Sequence, residues 1–266
     1  MPGELAEEQA RPRRVPAAAT GSDGLERAVY DRMRELEQAH WWFVGRRELL
    51  GRVIGGLELS RDAKILEVGC GVGGNLPLLR RFGAVEALEP DAESRDYVAA
   101  RLGVTVADGR LPDGLPYQDR AFDAVCSFDV LEHVEEDAAS TRRLAELVAP
   151  GGYLVATVPA YRWMWSRHDE LHHHRRRYTR AEFEALFRQA GLKVVKASYF
   201  NTLLFPLAVA ARTAKRWLGL KGEDDRMPPG WLNRLLTRVF RWEATWVAQG
   251  AMPFGLSILV VARRPA

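Results

Sequence analysis

Cysteine is scarce. The 266 residues hold two, Cys70 and Cys126, each closing an apolar run of the kind that forms a buried strand, which argues against a disulfide framework and suits free thiols. Neither stands at zinc-ligand spacing from the histidines, so no metal site is expected. Long apolar runs are missing too. None approaches the about 20 residues that cross a bilayer, and the first residues hold no apolar core of secretory-signal length. The expectation is a cytoplasmic protein, with peripheral contact at the inner face of a membrane left open for residues 201–247. An excess of one charge is also absent: 38 Lys and Arg face 35 Asp and Glu, a formal +3 that gives no argument for a nucleic-acid partner. No Asn-Pro-Pro-Tyr-type element for holding a flipped base occurs, and no basic stripe extends along the chain. Basic residues cluster only locally, at Arg11, Arg13 and Arg14 and at Arg175, Arg176 and Arg177.

Hydrophobic residues nevertheless make up 47% of the chain, enough to bury one sizeable core. Residues 1–22, rich in Pro, Ala, Gly, Glu and Arg, have almost no large apolar side chains to offset the entropy of ordering and read as a disordered tail. Residues 23–266 read as a single domain. Its first part, 23–60, is a helical cap: Leu25, Val29, Met33 and Leu36 recur three or four apart and run into Trp41, Trp42 and Phe43, and a second helix is expected over Arg46 to Gly56, stopped by Gly55 and Gly56.

A core follows over 61–200, where short apolar runs alternate with helical patterns. Strands are expected at Lys64 to Val68, Ala84 to Leu88, Val104 to Ala107, Ala121 to Ser127 and Gly152 to Val158, which implies βαβ units and a mostly parallel sheet with helices on both faces. Thr179 and Glu182 form a capping box that opens a helix to Ala190, with Gly191 as its C-cap and Leu192 to Ser198 as the next strand. A helical insert over 201–253 separates this from a last strand within 254–266, spanning Phe254 to Ala262. No internal repeat is visible.

The chemistry-bearing stretch is Ile65-Leu66-Glu67-Val68-Gly69-Cys70-Gly71-Val72-Gly73-Gly74-Asn75, a buried strand running into a glycine-rich turn and then a helix. Side chains at the glycines would fill the space of a nucleoside, and N–H groups at a helix start favour electron-rich ligand atoms. Spacing alone makes Gly69, Gly71 and Gly74 a dinucleotide fingerprint. Some twenty residues on, Glu89 ends a strand where an acid can accept hydrogen bonds from both hydroxyls of a ribose, whether of a nicotinamide or an S-adenosylmethionine (SAM) ligand.

Glu67-x-Gly69-x-Gly71, Asp108 after a third strand, the run from Phe122 to Val134, and Leu147-Val148-Ala149-Pro150-Gly151-Gly152 follow in the order and at the spacings of class I SAM-dependent methyltransferases, which the chain resembles over about residues 46 to 200. The resemblance implies a Rossmann-like α/β fold with a seven-stranded, mostly parallel sheet whose last strand is antiparallel, and SAM as cofactor. Gly69 and Gly71 would line its methionine portion, Glu67 would hold its ammonium, Glu89 its ribose hydroxyls and Asp108 its adenine amino group. Ser127 or Phe128 would face the reacting centre, and Cys70, Asn75, Pro90, Gly109 and Asp129 stand beside these positions in the same motifs. His40-Trp41-Trp42-Phe43 with Arg46-Arg47, and Trp165 to Asp169 followed by His174 to Tyr178, further resemble a bacterial subgroup whose acceptors are mostly unassigned.

Methyl transfer from a sulfonium needs alignment of the acceptor and, for a hydroxyl, a base. His174 or His168, tuned by Asp169, is the expected base, and Arg176 and Arg177 are expected to grip an anionic group on the acceptor, with Tyr178 also on the substrate side. Tyr161, Trp163 and Trp165 form an aromatic wall against the acceptor or, the preferred reading, pack a loop onto the sheet. The same stretch reads equally as a solvated loop. His133 is expected to shape the pocket. Apolar helix faces with interleaved Arg and Trp at 203–246, including Lys215 and Arg216, suit helices packed over a hydrophobic pocket, or else a membrane surface or lipid-linked acceptor. A small-molecule acceptor is expected. The rival readings are a nicotinamide-dependent oxidoreductase of the same fold class and a SAM-fold binding or scaffold protein without turnover.

Overall fold

Residues 27–218 and 227–266 are described in the computed structural model of the chain. The tail expected over 1–22, the start of the cap including Leu25, and residues 219–226 of the insert lie outside the described residues, as do the side chains of Lys215 and Arg216.

The strands arise where the apolar runs predicted them. β1 (Lys64–Val68), β2 (Ala84–Leu88), β3 (Val106–Ala107), β4 (Phe122–Phe128), β5 (Val148–Pro159), β6 (Lys193–Phe200) and β7 (Ser257–Arg263) form one sheet in the order β3-β2-β1-β4-β5-β7-β6. The first five are parallel, and β7 runs antiparallel to both β5 and β6. β1 and β4 lie at the centre, covered on both faces, which is why they read as nearly continuous apolar runs. The order reverses between them, and in open α/β sheets ligands bind beyond the carboxyl ends of the strands at such a point. Asp123 braces this centre: its Oδ2 accepts the Lys64 N–H at 2.7 Å.

Three strands depart most from the sequence pattern. The fifth begins at Val148, four residues ahead of the expected Gly152. The third shrinks to Val106–Ala107 at the sheet edge, and the last starts at Ser257, because Gly255 approaches the Phe200 backbone so closely that a Cβ there would lie 2.9 Å from its carbonyl carbon.

Helices cover both faces. α5 (Asp137–Glu146) and α7 (Arg180–Gln189) pack on one, and α7 has the expected box between Thr179 and Glu182 and a left-handed Gly191 at φ +80° after it. α2 (Trp41–Gly55) and α9 (Gly230–Gln249) cover the other. α2 begins five residues ahead of the predicted Arg46, so Trp41, Trp42 and Phe43 are its first turn. The reason is distant in sequence: Asn233 of α9 accepts the Trp41 N–H and donates to the Ala39 carbonyl, both at 2.8 Å, satisfying groups that a helix start leaves open. The Phe240 ring then lies over Gly45, with Cγ 2.5 Å from where a Cβ would stand. Buried Glu243 accepts the N–H groups of Thr202 and Leu203 at 2.9 Å, tying α9 to the end of β6.

α3 (Leu76–Leu79) and α4 (Ala92–Leu102) follow the turns after β1 and β2, and α8 (Phe205–Leu218) precedes α9. Among the described residues no helix is long and apolar enough to cross a membrane.

Candidate active site

After β1 the chain turns through Gly69, Gly71 and Gly73 at φ +74°, +55° and +81°, a region that only glycine enters without strain. Space excludes side chains as well: a Cβ on Gly69 would lie 2.5 Å from the Val130 side chain, and one on Gly74 would strike the Glu37 carboxylate. The N–H groups of Gly69 and Cys70 both donate to the Leu88 carbonyl, at 2.9 and 3.0 Å, fastening the turn to the end of β2.

Three polar side chains beside the turn keep unmet hydrogen-bonding capacity. Glu67 is buried; its Oε1 accepts from Asn75 Nδ2 at 2.8 Å, while Oε2 has no partner. Asn75 Oδ1 and Ser127 Oγ are likewise buried without partners. Each such group costs about 1–3 kcal/mol in a folded interior, a cost that a bound amine or hydroxyl would remove. Burial pushes the Glu67 carboxyl up to about 7 against the opposing bond from Asn75 and the charge of Arg46.

Glu89, after β2, accepts from the Gly71 N–H at 2.8 Å on Oε2, and from the Tyr30 hydroxyl at 2.8 Å and the Asp91 N–H at 3.0 Å on Oε1. Burial raises this carboxyl and the three donors pull it back. Tyr30 belongs to α1 (Arg27–Leu36), which crosses the turn on ion pairs from Arg27 to Asp91 (2.5 Å) and Arg34 to Glu93 (3.0 Å). No role was expected of Tyr30. The available signal is its spacing from Met33 and Glu37, which puts all three on one helical face, toward the glycine turn.

Asp108 follows β3, its side chain mostly exposed and paired with Arg95 at 3.2 Å; Arg95 also donates to the carbonyls of Glu89 and Pro90. Gly109 keeps this edge tight, since its Cβ would come 3.0 Å from Leu88. At the end of β4, Ser127 and Phe128 are buried and Asp129 takes φ +55°. The Asp129 carboxylate accepts from Thr157 Oγ1 at 3.0 Å and pairs with Arg46, so α2, β4 and β5 meet there.

In the segment after β5 Asp169 is the organiser. It stands in α6 (Arg167–Leu171), fully buried, with Oδ2 accepting the Ser166 N–H at 2.8 Å and Oδ1 facing His174 Nδ1 at 2.8 Å and Arg177 Nε at 2.6 Å. Burial pushes Asp169 up, but the bonds from His174 and Arg177 and the Arg177 charge outweigh it and hold the carboxyl well below the usual range. Burial also lowers His174 in spite of Asp169, leaving a neutral ring with Nδ1–H on the carboxylate and Nε2 open to a proton. The His168 ring lies 4.1 Å from that of His172 and 5.7 Å from that of His174.

The cationic positions are committed internally. Arg177 is buried and also donates to the Ala160 carbonyl at 3.0 Å, Arg176 pairs with Asp137 at 2.9 Å, and the buried Tyr178 hydroxyl donates to the same Asp137 at 2.9 Å. Tyr161, at a strained φ of +60°, stacks on Tyr199 at 5.2 Å and on Trp163 at 5.6 Å. Trp165 is half-buried beyond this stack.

Residues 37–197, more than half of the chain, match the model of a family described as methyltransferase domain. A Mycolicibacterium smegmatis protein named probable S-adenosylmethionine-dependent methyltransferase is 30% identical over 163 residues, 60% of this chain and 62% of that protein. The chloroplastic tocopherol O-methyltransferase of Arabidopsis thaliana is 32% identical over 113 residues, 40% of this chain and 32% of that protein. The match thus spans less than two thirds of either curated relative. Among solved structures, the methyltransferase bound to the Haloferax volcanii Trm112 activator superposes with a TM-score of 0.60 at 19% identity, covering 90% of this chain and 95% of that one. That likeness shows the fold.

Proposed function

The chain belongs to the methyltransferase-domain family, and from that premise we propose that it is a SAM-dependent methyltransferase that methylates a hydroxyl of a lipid-like small molecule. The observation that carries the cofactor part is the glycine turn with its three unmet polar atoms on Glu67, Asn75 and Ser127. Glu67 and Asn75 would hold the amino-acid end of the cofactor, Glu89 the ribose hydroxyls and Asp108 the adenine amino group. Bound there, SAM supplies an electrophilic methyl carbon on a sulfonium, and the protein's work is alignment, exclusion of water and removal of the acceptor proton. His174, held by Asp169 with Nε2 free of that bond, is the proposed base.

Two features support an apolar acceptor. From Tyr161 the aromatic contacts continue through Trp163 and Phe205 to Phe254, and Phe205 and Phe254 open a groove of about 770 Å³ lined also by Val209, Thr213 and Trp217. On α9, Trp231, Leu235, Trp242 and Trp246 stay exposed at helical spacing, with Arg234, Arg238 and Arg241 exposed among them, the pattern of a helix lying at a membrane surface. The tocopherol O-methyltransferase likeness is in keeping with this class. The anion grip expected of Arg176 and Arg177 is left out of the proposal, because Asp137 and Asp169 engage both charges.

Parallel calorimetric titrations with SAM, S-adenosylhomocysteine and NAD test the first half of the proposal. Binding of the first two without NAD is expected, and NAD binding alone would overturn it. Turnover is then expected with amphiphilic phenols or alcohols and not with their short water-soluble analogues.

A further inference from the structure

The chain turns from β4 through Leu131, Glu132 and His133, and this turn is pinned to the segment after α6: the Arg175 N–H donates to the Glu132 carbonyl at 2.8 Å and Arg175 Nε to the His133 carbonyl at 3.0 Å. The pinning brings the side chains of Glu132, His133 and His174 together, with one ligand-capable atom from each lying within 4.8 Å of the other two. Glu132 is fully buried, and neither carboxylate oxygen has a hydrogen-bond partner. A buried carboxyl without hydrogen-bond partners is costly, and its charged form is sustained there only by a partner such as a coordinated cation. The two imidazoles are already oriented from outside. His174 Nδ1 is held by Asp169, itself fixed by Arg177, and the His133 ring is hydrogen-bonded to the His172 backbone, so each ring keeps one nitrogen for another use. Metal-binding histidines are oriented by such outer partners.

We infer that Glu132, His133 and His174 form a binding site for a first-row divalent transition metal. Two imidazole nitrogens and one carboxylate oxygen suit zinc, iron or cobalt better than magnesium or calcium, which prefer all-oxygen surroundings. His168 and His172 stand next to it, sharing His174 in a second, more exposed triple. The site lies past the carboxyl end of β4, on the acceptor side. A Lewis-acid role toward an acceptor hydroxyl rests on the methyl-transfer reading, since the ion would occupy the nitrogen otherwise available as base; binding of the ion does not.

The probe is Co²⁺, added to the metal-stripped full chain and followed by its visible absorption and by calorimetry, with Zn²⁺ as competitor. One equivalent is expected to bind and to be displaced by Zn²⁺. Glu132→Gln, which keeps the side chain's shape but cannot supply a carboxylate, and His133→Asn should each weaken binding about 100-fold or more, ligand loss exceeding the cost of losing an outer partner. The double variant His168→Ala/His172→Ala should stay within about threefold of the parent, less than 1 kcal/mol. Absence of a stoichiometric site overturns the inference, and so does full binding by Glu132→Gln with loss in the double variant, which would place the ion on the exposed histidines. A SAM titration on the same sample separates the two readings: cobalt binding without SAM binding removes the cofactor assignment alone, and the reverse removes the metal site alone.

Discussion

Glu67 carries opposing demands on one side chain. Its folded-state carboxyl titrates near 7, above the ordinary 4.5, because it is enclosed. A raised acid favours folding below the unfolded value, and that contribution is lost as pH rises from 4.5 through 7. At pH 8 the free protein therefore holds a buried anion that Asn75 and Arg46 offset only in part, a cost of at most about 3 kcal/mol. Glu67→Gln should raise the melting temperature at pH 8 by a few degrees and leave it unchanged at pH 4. The same anion is what an ammonium ligand needs, so SAM affinity should rise with pH up to about 7 in the parent and stay flat and weaker in the variant, a pair of outcomes that calorimetry across pH reads directly. Gly71→Leu should abolish SAM binding while the far-ultraviolet circular dichroism keeps its native shape, since the added side chain meets little but the end of Met33 and instead fills the turn; unchanged affinity would remove the site from this turn. At this scale the sequence was most legible where chemistry is local. The glycines, Glu67 and Glu89 announce themselves by type and spacing within a short window. Glu132 and Tyr30 do not, because their roles depend on partners 42 and 59 positions away, His174 and Glu89, brought close only by the fold.

Elements show the same division. α7 could be delimited from its own residues, since its start is a Thr–Glu box and its end a glycine that takes the left-handed conformation. α2 could not, because its first N–H is satisfied by Asn233. The α2–α9 contact that results is tight enough to be tested by a single substitution. Gly45→Leu would drive a side chain into the fully buried Phe240 ring, and overpacking of this kind costs about 1–3 kcal/mol. A fall in melting temperature of about 3–10 °C is expected for a domain of this size. Because Arg46 is the next residue and pairs with Asp129, SAM affinity should fall with it; an unperturbed variant would mean that the two helices separate freely.

For the whole molecule, the alternation of apolar runs was enough to foresee a mostly parallel α/β sheet, and the resemblance supplied its antiparallel last strand. What could not be read was which face of the helical insert is left over. Sequence pattern makes α9 amphipathic, but whether its tryptophans or its Phe240 and Val247 turn inward depends on α2 being there to receive one set. Phe240 and Val247 are buried, and Trp231 and Trp242 are more than half exposed beside three arginines. If this face meets a lipid surface, binding has two separable parts. The arginines should contribute about 1 kcal/mol each near an anionic surface. Vesicles of one-third phosphatidylglycerol should therefore bind the protein at least about tenfold more tightly than pure phosphatidylcholine, and 0.5 M salt, which shortens the screening length to a few ångströms, should erase most of that difference. Trp231→Ala/Trp242→Ala should weaken binding to both vesicle types alike, because ring burial does not depend on lipid charge. Arg234→Gln/Arg238→Gln/Arg241→Gln should remove only the preference for the anionic vesicles. SAM affinity should be unaltered in both variants, since none of these side chains lies in the glycine turn. Co-sedimentation that shows no dependence on lipid charge would mean that the arginines face water in the working protein, and equal binding by the tryptophan variant would mean that this helix is not the contact.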